Sequence, residues 1–165
     1  MHVPPMCVCG NIFRGKTLAS VSKNLFSVAG KTALITGGGS GIGGFMAQSL
    51  ADEGASILLA GRREDKLKEV LGARDGRVFV IDLCEANASE RLFKIVTDCG
   101  YQPDIVVNAA GINPRLHADK IDEEMWSYTV HLNLNVPFLV TQKFVPGMKA
   151  NGWGRIINIA SMQSN

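Results

Sequence analysis

Thr32-Ala-Leu-Ile-Thr36-Gly-Gly-Gly-Ser-Gly-Ile-Gly43 governs how the rest of the chain is read. An apolar run reads as a buried strand and passes into a glycine loop. Behind the loop, Ile42, Phe45, Met46 and Leu50 follow at i, i+3, i+4 and i+8, the spacing of one helical face. They are expected to be the buried stripe of that helix. Glycines between a strand and a helix let backbone N–H groups come close to a diphosphate, and the helix dipole favours negative charge there. Two registers fit. Gly39, Gly41 and Gly44 satisfy G-x-G-x-x-G, while Thr36, Gly37, Gly41 and Gly43 satisfy T-G-x-x-x-G-x-G. A glycine-rich turn alone carries little weight; its place between strand and helix gives it meaning.

Outward from this loop the pattern repeats. Ser56-Ile-Leu-Leu-Ala60 reads as a second strand, and a charged helix from Glu64 to Leu71 stops at Gly72. Arg77-Val-Phe-Val-Ile81 is the third strand, and Leu92, Ile95, Val96 and Cys99 stripe a third helix closed by Gly100. Asp104-Ile-Val-Val-Asn108 is the fourth strand. A long helix runs from Glu123 to about Lys149, and Arg155-Ile-Ile-Asn-Ile159 is the fifth strand. Strands apolar along their whole length, joined by helices, imply a parallel sheet covered on both faces. Right-handed crossovers then give an α/β, doubly wound parallel sheet, the Rossmann fold. Further strands would normally follow the fifth, so residues 25–165 are expected to form one domain truncated after it, preceded by a basic leader or disordered extension over residues 1–24.

Composition narrows the class. A chain of 165 residues suits one domain, and 46% apolar against 19% charged residues reads as globular. Seventeen basic against fifteen acidic side chains leave +2, too little to argue for a nucleic-acid or membrane partner. Cys7, Cys9, Cys84 and Cys99 lack C-x-x-C spacing and read as free thiols of a reducing compartment. Cys7 and Cys9 have no second ligand pair in reach, so no metal site is expected. The longest uncharged run, Thr32 to Ala51, is broken by glycines and is no transmembrane helix. No acidic residue precedes Asp52, and Arg14, Lys16 and Lys23 make the leader basic. That is compatible with a mitochondrial transit peptide, although Pro4, Pro5 and the scarcity of arginine fit an extension or untranslated stretch equally. The compartment expected is the cytoplasm, with the mitochondrial matrix as alternative.

The residues after the second strand bear on the choice of dinucleotide. A site for NAD usually carries an acidic residue about twenty positions past the glycines, to hold the ribose 2′-hydroxyl. Here Gly61 is followed by Arg62 and Arg63. Two guanidinium groups stand where a carboxylate would repel a 2′-phosphate, favouring NADP(H) over NAD(H). They also open a helix, against the preference of its dipole. The plainer alternative is a solvated pair of surface arginines.

With these residues in place the chain resembles the short-chain dehydrogenase/reductases over about residues 25–165. Four motifs match in order: Thr36 to Gly43, Asp82-Leu83, Asn108-Ala-Ala-Gly111 and Asn158-Ile-Ala-Ser161. The resemblance implies cofactor contacts from Thr36, Gly37, Gly39, Ser40, Gly41, Ile42 and Gly43, and from Asp82, Leu83, Asn108, Ala109, Ala110 and Gly111; Arg62 and Arg63 join them on the charge argument above. Asp82 would accept from the adenine amino group with Leu83 beside it. Asn108 would tie the central strands, and Ala110 and Gly111 would line the ribose. The commoner form of that motif is Asn-Asn-Ala-Gly, so Ala109 is a departure. Asn133 and Ser161 correspond to the asparagine and serine of the catalytic set, the serine holding the substrate carbonyl. Pro137, four residues past Asn133, has no N–H to give that carbonyl, which is then open to a water of a proton relay. The chain alone fits a simple kink as well.

The family's acid is a tyrosine about a dozen residues beyond the serine, with a lysine four further on, the cation lowering the phenol's pKa. Here the tyrosines are Tyr101 and Tyr128, both upstream of Ser161, and no Tyr-x-x-x-Lys occurs. The implied activity is hydride transfer between NADP(H) and a secondary alcohol or ketone. Ser161-Met-Gln-Ser164 and Gly111-Ile-Asn resemble the sugar-acid branch, such as gluconate 5-dehydrogenases, and β-ketoacyl-carrier reductases are as similar. The alternative is a non-catalytic nucleotide-binding fragment, with this chain inactive by itself. A methyltransferase would want an acid where Gly61-Arg62 stands. His117 and His131 lack partners at metal or triad spacing and read as loop and helix-surface residues. Trp126 reads as a packing residue, and Arg115 as either a loop cation or a partner for an anionic substrate. The full-length form is expected to be a homo-oligomer.

Overall fold

The computed structural model describes residues 26–161. The leader, Cys7, Cys9 and Met162 to Ser164 lie outside the described residues. Strand β1 (Thr32–Thr36) leads to helix α1 (Gly41–Asp52), β2 (Ser56–Gly61), α2 (Glu64–Leu71), β3 (Gly76–Val80), α3 (Ala88–Asp98) and β4 (Ile105–Asn108). A short 3₁₀ turn (Ala118–Lys120) precedes α4 (Glu123–Val130), a π-helical turn (His131–Asn135), α5 (Val136–Ala150) and β5 (Arg155–Asn158). The strands form one parallel sheet in the order β3-β2-β1-β4-β5. Thr36 is level with Ala60 and with Asn108, and Asn108 with Asn158. The carboxyl ends therefore make one rim. The strand order reverses between β1 and β4, the point on such a rim where a crevice opens.

Why the strands are apolar throughout is plain from the layers. Leu34, Leu58 and Val106 point to one face and pack with Leu92 and Val96 of α3 and Val140, Phe144 and Met148 of α5. Ala33, Ile35, Ile57, Leu59 and Val107 point to the other, where Ala47 of α1 and Leu67 of α2 cover them. Each fully buried leucine or isoleucine here contributes about 1.5–3 kcal/mol. At the amino ends of the strands, the Asp104 carboxylate accepts from the Thr32 N–H (3.0 Å) and from Lys31 Nζ (3.4 Å). The Trp153 ring takes cation–π contacts from Lys31 (4.2 Å) and Arg155 (4.7 Å).

Three features differ from the sequence pattern. Helix α1 does not bury the stripe of large residues: Ile42 is 62% and Phe45 72% exposed, while Gly43, Gly44 and Ala47 are buried. The helix lies too close to the loop and sheet for large side chains, and only Met46 and Leu50 of the stripe pack partway against the core. The long helix is continuous but not uniformly α. The Val136 N–H reaches the His131 carbonyl, an i→i+5 bond, just before Pro137. A proline in an α-ladder strips one carbonyl of its donor, and a π turn absorbs the mismatch. Trp126, read as a packing residue, is 61% exposed. Among the described residues no helix is long and apolar enough to cross a membrane, and no cluster of metal-binding side chains occurs.

Candidate functional site

The glycine loop is shaped by contacts that leave no room for side chains. Gly37 has φ +68°, a left-handed backbone that favours glycine, and a Cβ there would lie 2.7 Å from the Ala110 backbone. A Cβ on Gly43 would lie 2.6 Å from the Gly37 carbonyl oxygen, so the first turn of α1 sits directly on the loop. The Gly37 N–H donates to the Ala60 carbonyl (2.8 Å) and the Ala109 N–H to the Thr36 carbonyl (3.2 Å). Thr36 Oγ1 donates to the Val107 carbonyl (3.4 Å) and accepts from the Ala110 N–H (3.3 Å), stitching β1 to the segment after β4. Ser40 precedes α1 in extended conformation and its side chain caps no helix N–H. The hydroxyl accepts instead from Arg63 Nη2 (3.1 Å). The first N–H groups of α1 thus stay open for an acceptor from outside the helix.

Above this loop lies a cleft of about 360 Å³. It gathers most of the expected residues: Gly37, Gly39, Ser40, Gly41, Ile42 and Gly43 from the loop, Arg62 and Arg63 after β2, Asp82 and Leu83 after β3, and Ala109, Ala110 and Gly111 after β4. Thr36 and Asn108 are buried beneath it, 1% and 3% exposed, and do not line it. Gly61, Leu67, Ile81, Ile112, Tyr128, Leu132 and Ile159 also line it, and none of them was expected as a site residue. Ile112 and Ile159 sit inside motifs already quoted, while Leu67, Ile81, Tyr128 and Leu132 arrive by tertiary packing alone.

Polar side chains around the cleft are held by specific bonds. Arg62 Nη1 donates to the Tyr128 hydroxyl (3.4 Å) and lies 3.8 Å from Asp82 Oδ2, while Asp82 Oδ1 accepts from the Cys84 N–H (2.9 Å). A side-chain hydrogen bond with Cys84, and then partial burial, hold the Tyr128 phenol above its ordinary pKa. Asn108 Nδ2 donates to Asn158 Oδ1 (2.8 Å) and Thr141 Oγ1 (3.1 Å), tying β4 to β5 and α5. Asn133 is not in the lining, yet its amide grips the cleft wall: Nδ2 donates to the Ile112 carbonyl (2.8 Å) and Oδ1 accepts from the Ile112 N–H (2.9 Å). The Gly111 position has no space to spare, since a Cβ there would lie 3.0 Å from Asn133 Oδ1. Ser161 follows β5 and is also outside the lining. Arg115 is exposed in the loop after β4, with φ +53° and its N–H on Asn113 Oδ1 (3.1 Å).

The sequence profile of the family described as short chain dehydrogenase matches residues 31–165. A 2-dehydro-3-deoxy-D-gluconate 5-dehydrogenase of Bacillus subtilis is 38% identical over 143 residues, covering 84% of this chain and 56% of that protein. A 3-oxoacyl-[acyl-carrier-protein] reductase of Rickettsia bellii is 33% identical over 138 residues, with the same two coverages, 84% and 56%. Among solved structures, a 3-oxoacyl (acyl-carrier-protein) reductase of Agrobacterium tumefaciens with NADP bound superposes with a TM-score of 0.80 at 26% identity, covering 89% of this chain and 58% of that one. The chain spans a little over half the length of the curated relatives it matches.

Proposed function

The chain belongs to the short chain dehydrogenase family, and from that premise we propose that it is the dinucleotide-binding portion of an oxidoreductase interconverting a secondary alcohol and a ketone, with NADP(H) preferred to NAD(H). The observation that carries this is the glycine-floored cleft, whose space a Cβ at Gly37 or Gly43 would disturb. The open N–H groups of α1 and its dipole hold the diphosphate over Gly39 to Gly43. Asp82 accepts from the adenine amino group beside Leu83, and Ala109, Ala110 and Gly111 border the nicotinamide ribose. When bound, the cofactor supplies the hydride, and the protein supplies orientation and electrostatics. Ser161 holds the substrate carbonyl. Asn133 fixes the cleft wall with its side chain and keeps its main-chain carbonyl, which Pro137 cannot serve, for a water.

Arg62 and Arg63 support the choice of the phosphorylated cofactor, and the neighbour of Agrobacterium tumefaciens carries NADP. The named activities of the relatives favour a sugar acid or a 3-oxoacyl compound as substrate, and Arg115 is a suitable cation for an anionic one. These 165 residues contain no Tyr-x-x-x-Lys, so by themselves they bind cofactor without turnover. Free thiols at Cys84 and Cys99 suit the cytoplasm. The complete protein is read as a homo-oligomer, joined along the long helix where Leu134 and Phe138 stand exposed.

Titrating the chain with NADPH and NADH, followed by nucleotide fluorescence, tests this reading. Saturable binding that favours NADPH is expected, with no turnover of a carbonyl panel. Replacing Arg62 and Arg63 together by alanine should weaken NADPH at least about tenfold and leave NADH unchanged. No saturable binding, or equal binding of both nucleotides that ignores the arginines, would sink the proposal.

A further inference from the structure

Arg62 leaves the end of β2 with its side chain 61% exposed. A guanidinium so placed has many rotamers, and it recognises a phosphate well only when its fork is held in advance. Two side chains hold it, from two other elements. Asp82, after β3, offers a carboxylate at 3.8 Å, and Tyr128, from α4, offers a hydroxyl at 3.4 Å, both to the same nitrogen, Nη1. Arg62, Asp82 and Tyr128 all line the cleft. The Tyr128 ring packs partly against the core, which narrows the positions open to its hydroxyl. A phenol oxygen has lone pairs to spare whatever its own proton bonds to, so it can accept from Arg62. Arg63 is held separately, by Ser40 of the glycine loop.

We infer that Tyr128 is a positioning residue for cofactor choice: its hydroxyl sets Arg62 toward the 2′-phosphate of the adenosine half. This rests on the NADP(H) reading above and adds a residue that no motif of the chain contains. Tyr128 acts on the phosphate through Arg62 alone, so its contribution exists only while Arg62 is present.

Four proteins decide it: the wild-type chain, Tyr128→Phe, Arg62→Ala and the double variant, each titrated with NADPH and NADH. Phenylalanine keeps the ring and its packing and removes the acceptor. Tyr128→Phe should weaken NADPH about fivefold, the size of one lost hydrogen bond, and leave NADH unchanged. In the Arg62→Ala background the same change should alter neither. An equal loss for both nucleotides would overturn the inference, because it marks a general packing role. A fivefold loss that persists without Arg62 would overturn it too, since Tyr128 would then act independently. An Arg62→Ala protein that binds both nucleotides as the wild type does would instead remove the arginine reading on which the inference stands.

Discussion

Gly37 joins a left-handed φ of +68° to a missing Cβ whose place lies 2.7 Å from the Ala110 backbone. The first condition disfavours any other residue by about 1–2 kcal/mol. The second cannot be relieved by a side-chain rotation, because the obstacle is main chain. Gly37→Ala should therefore lower stability in a denaturant melt by about 2 kcal/mol or more. It should also abolish most NADPH binding, since Ala110 must move and takes the cleft wall with it. Retention of both properties would show that the loop has more slack than its contacts allow. Residues of this kind are legible from sequence because glycine is chosen for what it lacks, and the motif repeats the choice at fixed spacing. Tyr128 is the opposite case. Nothing in its neighbours Ser127 and Thr129 distinguishes a cleft-lining tyrosine from a surface one, and only the fold brings it across from α4 to Arg62.

Helix α1 shows where pattern reading fails at the level of elements. Periodicity weighs residues by hydrophobicity, so it selects Ile42 and Phe45, whereas the contact face is chosen by size and runs through Gly43, Gly44 and Ala47. Gly44 has its Cβ position 3.3 Å from Val70 of α2, and Ala47 is 1% exposed. Ala47→Leu should then cost about 1–3 kcal/mol by overpacking. Phe45→Ser, a larger loss of apolar surface on paper, should stay within about 0.5 kcal/mol, as exposed positions do. Urea melts of the two variants check the ranking, and the reverse order would mean that the large stripe is the buried one. Strands were easier to foresee. Leu34, Leu58 and Val106 sit in runs with no polar alternation, the mark of a sheet covered on both sides. The π turn at His131–Asn135 was foreseen only as a proline defect; how the ladder absorbs it depends on what α5 must reach.

Taken as a whole, the molecule carries little net charge, and several large apolar side chains of the described residues stand exposed. Leu134 (67%) and Phe138 (64%) stand one turn apart on the long helix, while Ile42 lines the cleft and Phe45 stands exposed on the same helix as Ile42. On the reading that the long helix joins subunits, replacing Leu134 and Phe138 together by glutamate should weaken self-association at least about tenfold, given the apolar area two such side chains bury. Sedimentation of both forms across a concentration series measures it, and unchanged profiles would exclude that face. The sheet topology also bears on synthesis. Thr36 pairs with Asn108, roughly 70 residues downstream. A ribosome adding about 5–20 residues per second leaves one edge of β1 waiting roughly 4–14 s for its neighbour. During that interval Leu34 lacks Val106 and Val140, the part of its cover that emerges last, so this face of the sheet closes only when the second half of the domain has been made.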